Sequence, residues 1–448
     1  METKKKTGEK FSQSLTFKGI TIVILILLLL IPNAMIMDLI HEREERSNET
    51  IQKINEKWSL PQTVCGPILT IPFTTTFTDT DKKTHIQGHE LHITPKELNI
   101  HTRLFPEERH YGIYKSILYK SEISISGQFA PLDYLKTIDG VFDLGKAHLG
   151  IELSDLRGVT KQLEFNIKGH SYPTEVGGNT YQFRKNLEAT LGSIIKPDST
   201  ESYSFECQLS LNGSSNLRFI PAGSTTNVTI EGDWKAPGFT GSFTPDYQPT
   251  EKGFQASWSI LNFNRNIPEY WIDDSIDSFE YTSFGVILVE PVDHYQQNMR
   301  SSKYSLLFIA LTFAVFFFVE ILTQKRIHPI QYLLVGLALI LFYSLLLSIS
   351  EQINFAIAYL IAAVATIALI TAYTHSIFKN KSQTGILLVI LAILYLFLYV
   401  ILQLEDVALL IGSIGLFIIL GIIMFISRKI KWYKPEHETV VVEEEKPK

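Results

Sequence analysis

The sequence predicts an α-helical polytopic membrane protein: six transmembrane helices, with one large β-rich, sandwich-like domain held between the first and the second. Two observations carry this. Apolar residues make up 46% of the chain and charged residues only 19%, giving a mean hydropathy of +0.12, high for a soluble protein. The apolar residues are also unevenly spread, concentrated in one N-terminal run and in the last third, while 38–303 has the polarity of an ordinary soluble domain.

A helix needs about 20 apolar residues to cross the hydrocarbon core. Runs of that kind fall at 19–37, 304–324 (interrupted by Glu320), 330–350, 353–374, 384–404 and 407–427. The first is preceded by Lys4, Lys5, Lys6, Lys10 and Lys18, as a secretory signal would be. It is too long for the usual apolar core of a signal, however, and charged Asp38–Arg46 follows it with no small-residue cleavage site, so it reads as an uncleaved anchor.

Basic residues resist translocation, so they orient the spans. Lys4–Lys18 place the N-terminus (1–18) inside, and alternate crossings then put Lys325, Arg326, Lys379, Lys381, Arg428, Lys429 and Lys431 inside as well. Gln352, Glu405 and Asp406 fall outside. The expected protein is therefore a multi-pass membrane protein with both termini cytoplasmic, a cytoplasmic tail at 428–448 and an exported domain at 38–303. Its first partner is the lipid bilayer. A net charge of −6 and a pI near 6.1 offer no basic stripe, which excludes nucleic acid.

Within the exported domain, Ile51, Ile54 and Trp58 lie on one face of a short amphipathic helical stalk. The period then changes to two. Ile117, Tyr119, Ile123, Ile125 and Phe129 alternate with polar residues, as do Tyr203, Phe205, Cys207, Leu209 and Leu211, and Phe254, Ala256, Trp258 and Ile260. Asn212-Gly213 predicts a hairpin turn leading to Leu217 and Phe219. Cys65 and Cys207 both lie in this domain. A bridge between them is open, although Cys207 on the apolar face of its strand reads as a buried hydrophobe.

Chemistry-bearing patterns are sparse. His85, His89, His92, His101 and His110 cluster with Glu90, yet on a strand His85 and His89 share a face while His92 points away, which favours an exposed hairpin over a metal site. There is no G-x-S-x-G elbow, Walker loop or G-x-G-x-x-G, and Ser344, Ser348 and Ser350 read as hydroxyls bonding within or between helices. No catalytic residue, metal ligand or cofactor is expected. The remaining candidates are charge clusters at the membrane interface: Glu320 with Lys325, Arg326 and His328 at one side, and Glu351, Glu405 and Asp406 at the other. With no carboxylate at mid-depth, and prolines in or beside the spans only at Pro32 and Pro329, ion-coupled transport is disfavoured.

Several long segments carry a family resemblance: "PVDHYQQNMRSSKYSLLFIALTFAVFFFVE" (Pro291–Glu320), "RIHPIQYLLVGLALILFYSLLLSISE" (Arg326–Glu351), "LQLEDVALLIGSIGLF" (Leu402–Phe417), "QTVCGPILTIP" (Gln62–Pro72), "LSDLRG" (Leu153–Gly158), "LNGSSNLRFIPAG" (Leu211–Gly223) and "WKAPGFTGSFTP" (Trp234–Pro245). From about Gly19 to Tyr433 the chain resembles the inner-membrane CreD family of Gram-negative bacteria. The resemblance implies an envelope-integrity protein of the bacterial inner membrane, multi-pass with 38–303 as a periplasmic domain that meets a periplasmic or envelope protein partner. It also implies association with a two-component regulon that responds to cell-wall stress, β-lactams and colicins; no enzymatic activity or cofactor is established for the family. Where the family pattern has a histidine after Ser-Glu this chain has Gln352, so a protonation role is not expected there. The tail Glu436–Lys448 lies outside the resemblance and has a disordered composition. The leading expectation is a non-enzymatic protein of envelope integrity and stress response acting through its periplasmic domain. The alternatives are a transporter or channel formed by the five C-terminal helices, and a cell-wall enzyme.

Overall fold

The computed structural model describes residues 15–178, 185–196, 201–273, 279–288, 294–323, 327–404 and 407–428. The chain divides into two compact units: a helical one from Met1–Arg46 and Asp293–Lys448, and a β-rich one, Ser47–Val292.

The helical unit contains most of helix α1 (Leu15–Trp58), followed by α2 (His294–Lys303), α3 (Ser305–Thr323), α4 (Pro329–Ser350), α5 (Phe355–Phe378), α6 (Lys381–Gln403) and α7 (Ala408–Ser427). The start signals are local. Asn354 Oδ1 accepts the Ala356 N–H at 2.9 Å and Asn380 Oδ1 accepts the Ser382 N–H at 3.0 Å, capping α5 and α6. His328 and Gln331 form a reciprocal capping box in front of Pro329 on α4. Among the described residues, α1, α4, α5 and α6 are long and apolar enough to cross a membrane. The pair α2–α3, bent by 45° at Tyr304, makes a fifth if counted as one span, and α7 contributes a shorter apolar stretch, Leu410–Phe425.

The β-rich unit holds two sheets. In the first, the path runs through Pro237–Gly241, Phe284–Leu288, Asn216–Ile220, Gln62–Thr78, His148–Leu153, Asn186–Thr190 and Glu175–Val176. Thr84–Ile93 also pairs with Gln62–Thr78, and Tyr270–Ile272 with Thr84–Ile93. The second runs through Asp246–Pro249, Phe254–Leu261, Thr225–Gly232, Glu97–Tyr111, Tyr114–Phe129, Tyr203–Ser214, Glu164–Ile167 and His170–Pro173. Pairing is antiparallel except between Gln62–Thr78 and Asn216–Ile220, and between Glu97–Tyr111 and Thr225–Gly232. Residues of both sheets, such as Val64, Leu149 and Phe219 from one and Ile100, Ile123 and Phe205 from the other, enter a single apolar core. The three alternating segments read from the sequence are strands whose apolar positions face this core.

One expected turn is not there. Asn212 and Gly213 continue the strand Tyr203–Ser214, pairing with Lys120 and Tyr119. The chain turns instead at Ser215, in the left-handed region at φ 59°, and Asn216–Ile220 belongs to the other sheet. Gly213 is required for closeness rather than for turning: a Cβ there would strike the Tyr119 ring. Cys65 and Cys207 are both free and buried. Burial, aided by Glu152, raises the Cys65 thiol well above its ordinary pKa, and burial pushes Cys207 up to about 12, so neither is a ready nucleophile.

Candidate functional site

The charge clusters come first. Glu320, in the last turn of α3, is 5% exposed. Its carboxylate forms an ion pair with Lys18 of α1 and accepts hydrogen bonds from the Ile327 N–H (3.0 Å) and the Tyr332 hydroxyl (3.1 Å). A buried carboxylate without donors is expensive, and these three, one of them charged, answer both of its oxygens. Lys325 and Arg326 lie outside the described residues. His328 is engaged elsewhere, its Nδ1 accepting the Ile330 N–H at 3.3 Å as the cap of α4. Lys18 is 302 positions from Glu320, so no local signal joins them; the orientation rule does put both on the same side of the membrane.

Glu351 caps the other end of α4. Its carboxylate lies 3.9 Å from Arg43 and accepts the Tyr295 hydroxyl at 3.3 Å. Glu405 and Asp406 lie outside the described residues.

The β-rich unit carries a site that charge patterning missed. Phe73 of Gln62–Thr78 pairs in register with His89 of Thr84–Ile93, so Phe73, Thr75 and His89 share a sheet face. His89 Nδ1 is 2.7 Å from Asp273 Oδ2, and His89 Nε2 is 3.1 Å from Thr75 Oγ1. A carboxylate only accepts, so in the neutral ring Nδ1 carries the hydrogen and Nε2 accepts from the Thr75 hydroxyl. Asp273 sits at φ 48° just beyond the short strand Tyr270–Ile272, and its Oδ1 also accepts the Glu90 N–H at 2.8 Å. Burial alone would raise the Asp273 pKa; the bonds from His89 and Glu90, with the nearby charges of His89 and His92, outweigh it and hold the carboxyl below the ordinary range. Phe73 stacks on His89 and on Phe142, at 5.2 and 5.0 Å between centroids.

Phe73, His89 and Asp273 line an open cleft of about 440 Å³ that also presents Glu90, Asp143 and Lys146. His92 projects to the opposite face: its Nδ1 lies 3.0 Å from Thr70 Oγ1 and its ring stacks on Trp271. Burial first, and His148 second, push its pKa down from 6.5 to about 4 against the pull of Asp273. The five histidines therefore do not converge, and among the described residues no three His, Cys, Asp or Glu side chains are placed to hold a metal ion. The sequence signal for the cleft was the His89-Glu90 pair; Thr75 and Asp273, 14 and 184 residues from His89, could be found only in three dimensions.

Long apolar helices and a folded two-sheet unit in one chain define the class, a polytopic membrane protein with one large β-rich domain. The family model for the inner membrane protein CreD matches residues 14–433. The inner membrane protein CreD of Escherichia coli (strain K12) is 31% identical over 415 residues, which cover 91% of each chain. The chain belongs to the CreD family. Among solved structures, native yeast LTA4 hydrolase overlaps at 8% identity over 50% of this chain and 35% of its own, with a TM-score of 0.19, too low to define a shared fold.

Proposed function

We propose that this protein supports the integrity of the cell envelope and its response to cell-wall stress as a non-enzymatic component of the inner membrane. In this reading it crosses the bilayer six times with both termini in the cytoplasm, and its sandwich-like β-rich domain meets an envelope protein on the periplasmic side. The observation that carries the reading is the Ser47–Val292 unit itself, a fully cored two-sheet domain joined in the chain on both sides to apolar helices, in a chain of the CreD family. Its outer strands present Ile86 and Val141, each 73% exposed, on the sheet face opposite His89. Exposed apolar side chains near a free strand end suit contact with another protein. The test is photo-crosslinking in intact cells from Ile86 and Val141. A discrete adduct with one envelope protein is expected, and cells that yield only lipid or no adduct at these sites would refute the partner. Alkaline-phosphatase fusions test the topology: activity after Arg300 and none after Thr374 or Lys448 is expected.

The Thr75–His89–Asp273 array favours a second reading, a hydrolase acting on the cell wall. A hydroxyl on a histidine that a carboxylate orients is the arrangement of an activated nucleophile. Thr75 Oγ1 would attack an acyl carbon while His89 Nε2 takes its proton and returns it to the leaving group; a water deprotonated by the same Nε2 would then cleave the Thr75 ester, releasing the carboxylic acid and restoring the hydroxyl. Full-length protein that hydrolyses peptidoglycan, with activity lost in His89→Ala, would select this reading over the non-enzymatic one.

A further inference from the structure

Helix α2 is polar where it is buried. Asn298, Ser301, Ser302 and Ser305 recur at i, i+3, i+4 and i+7, and each is at most 1% exposed, with Gln297 alongside at 5%. Thr312, a further seven residues along in α3, is 1% exposed. An amphipathic helix normally turns its apolar stripe inward; this one turns oxygen inward.

The oxygens are also unanswered. Elsewhere in the helical unit the buried hydroxyls of Ser350 and Thr374 bond back to their own helix, at Leu347 O and Ile370 O, while that of Thr371 does not. Among the described residues, Ser301 Oγ, Ser302 Oγ, Thr312 Oγ1, Gln297 Oε1 and Asn298 Oδ1 meet no hydrogen-bond partner. The orientation of Asn298 is set by its amide hydrogens, which go to His294 O and Ser350 Oγ, both at 2.8 Å, and this leaves its oxygen without a donor. Each such group costs free energy in a dry interior, so a face holding five of them asks for a donor or a cation.

The backbone points the same way. The 45° bend between α2 and α3 at Tyr304 breaks the span beside this face, and discontinuous helices in membranes are where small ions and polar solutes are held. Ser305 Oγ fastens the start of α3 to Asn33 of α1 at 2.6 Å, so the break is braced. Beyond Thr312 the rings of Phe313 and Phe316 pack on Tyr332, at 5.4 and 6.1 Å between centroids, and separate the oxygen-lined face from Glu320. Arg300 and Lys303 line a separate open cleft with Glu44, on the other side of α2.

We propose that the helical unit binds a small hydrated monovalent cation on the face of α2 formed by Gln297, Asn298, Ser301 and Ser302, with water continuing to Thr312. Amide and hydroxyl oxygens without a formal charge suit such an ion, and the acceptor-only character of Gln297 Oε1 and Asn298 Oδ1 argues against an anion. The site would make this chain a cation-responsive or cation-conducting protein, a property separate from the partner contact proposed for the β-rich unit.

Sodium is the probe. Thermal unfolding of the full-length protein in detergent, followed by helical circular dichroism, is compared in sodium chloride and in choline chloride at the same concentration. Sodium should raise the midpoint by about 3 °C or more, and in Ser301→Ala/Ser302→Ala, compared with its own midpoint in choline chloride, the gain should disappear. Equal midpoints in the two salts, or a sodium effect unchanged in the variant, would overturn the site. Hydration is checked independently with Ser302→Cys and Thr312→Cys in membrane vesicles against a water-soluble thiosulfonate, since Cys65 and Cys207 are buried and give little background. Reaction at both introduced cysteines is expected; labelling of neither until the protein is denatured would show the face to be dry and the proposal wrong.

Discussion

The two units both bury apolar side chains but present opposite surfaces. In the β-rich unit the large apolar side chains are inside, Ile123 and Phe165 at 0% exposure, and water lies outside. In the helical unit large apolar side chains also cover the outside, among them Leu341, Leu396 and Phe417, at 62, 63 and 77% exposure. The difference teaches what holds each together. Removing Ile or Phe from water drives the sheets onto one core. Lipid tails are as apolar as leucine, so the helices gain little of that kind by hiding it; close packing of side chains such as Phe342 and Leu398 holds them, helped by small and polar contacts. Ala358, Ala362 and Ala363 lie buried on α5, Leu29 of α1 fills the space a side chain at Gly336 would take, and Ser305 bonds Asn33.

Two buried charges, one in each unit, are answered differently. Arg265 of the β-rich unit is fully buried yet donates to Ala222 O at 2.6 Å, with Pro221 O, Thr94 and Ser224 at longer range. Burial lowers its pKa to about 10, still far above neutrality, so it stays charged among carbonyl dipoles. Glu320 of the helical unit instead has a cation, Lys18, against it.

The sharpest way to break this comparison is a pair of truncations. Phe205→Ala in the two-sheet core should cost about 4 kcal/mol, read by denaturant unfolding through tryptophan fluorescence in a Trp432→Phe background, since the other four tryptophans, Trp58, Trp234, Trp258 and Trp271, belong to the β-rich unit. Leu396→Ala, on the outside of α6, should cost under about 1 kcal/mol by helical circular dichroism in lipid nanodiscs. A Leu396 variant as unstable as the Phe205 one would mean that this surface is packed against protein.

The next effect is on pH. His92 titrates near 4 when folded and at about 6.5 when unfolded, so between these values the unfolded chain binds more protons. Its contribution is whole above pH 6.5 and is lost as the pH falls toward 4, by up to about 3 kcal/mol. His92→Asn should flatten that part of the stability profile of the β-rich unit. A slope unchanged in the variant would assign the acid sensitivity to other groups.

The smallest effect sharpens the account of the helical unit. A double-mutant cycle of Glu320→Gln and Lys18→Gln should show a coupling of about 1 kcal/mol in detergent-solubilised melting, leaving the tryptophan signal of the β-rich unit unmoved. Zero coupling, with both single variants as stable as the parent, would reduce the pair to side chains reaching separately for water.

The sequence alone determined the class of the protein and the faces of its strands. Apolar runs mark membrane helices because an uncompensated charge in hydrocarbon is costly wherever it falls, and alternation such as Tyr203–Leu211 marks a half-buried strand because successive side chains point to opposite sides. Both signals are local, so they survive without a fold. The bend at Tyr304 escaped because no glycine or proline marks it, and the polar residues preceding it read as the end of the exported domain. Only the tertiary structure decided that Asn212-Gly213 runs straight through a strand, where the Tyr119 ring occupies the space a side chain would need. Only it placed Lys18 on Glu320, and Thr75 and Asp273 on His89. Such partners are chosen by how separate elements pack, and nothing in the residues flanking either member records the choice.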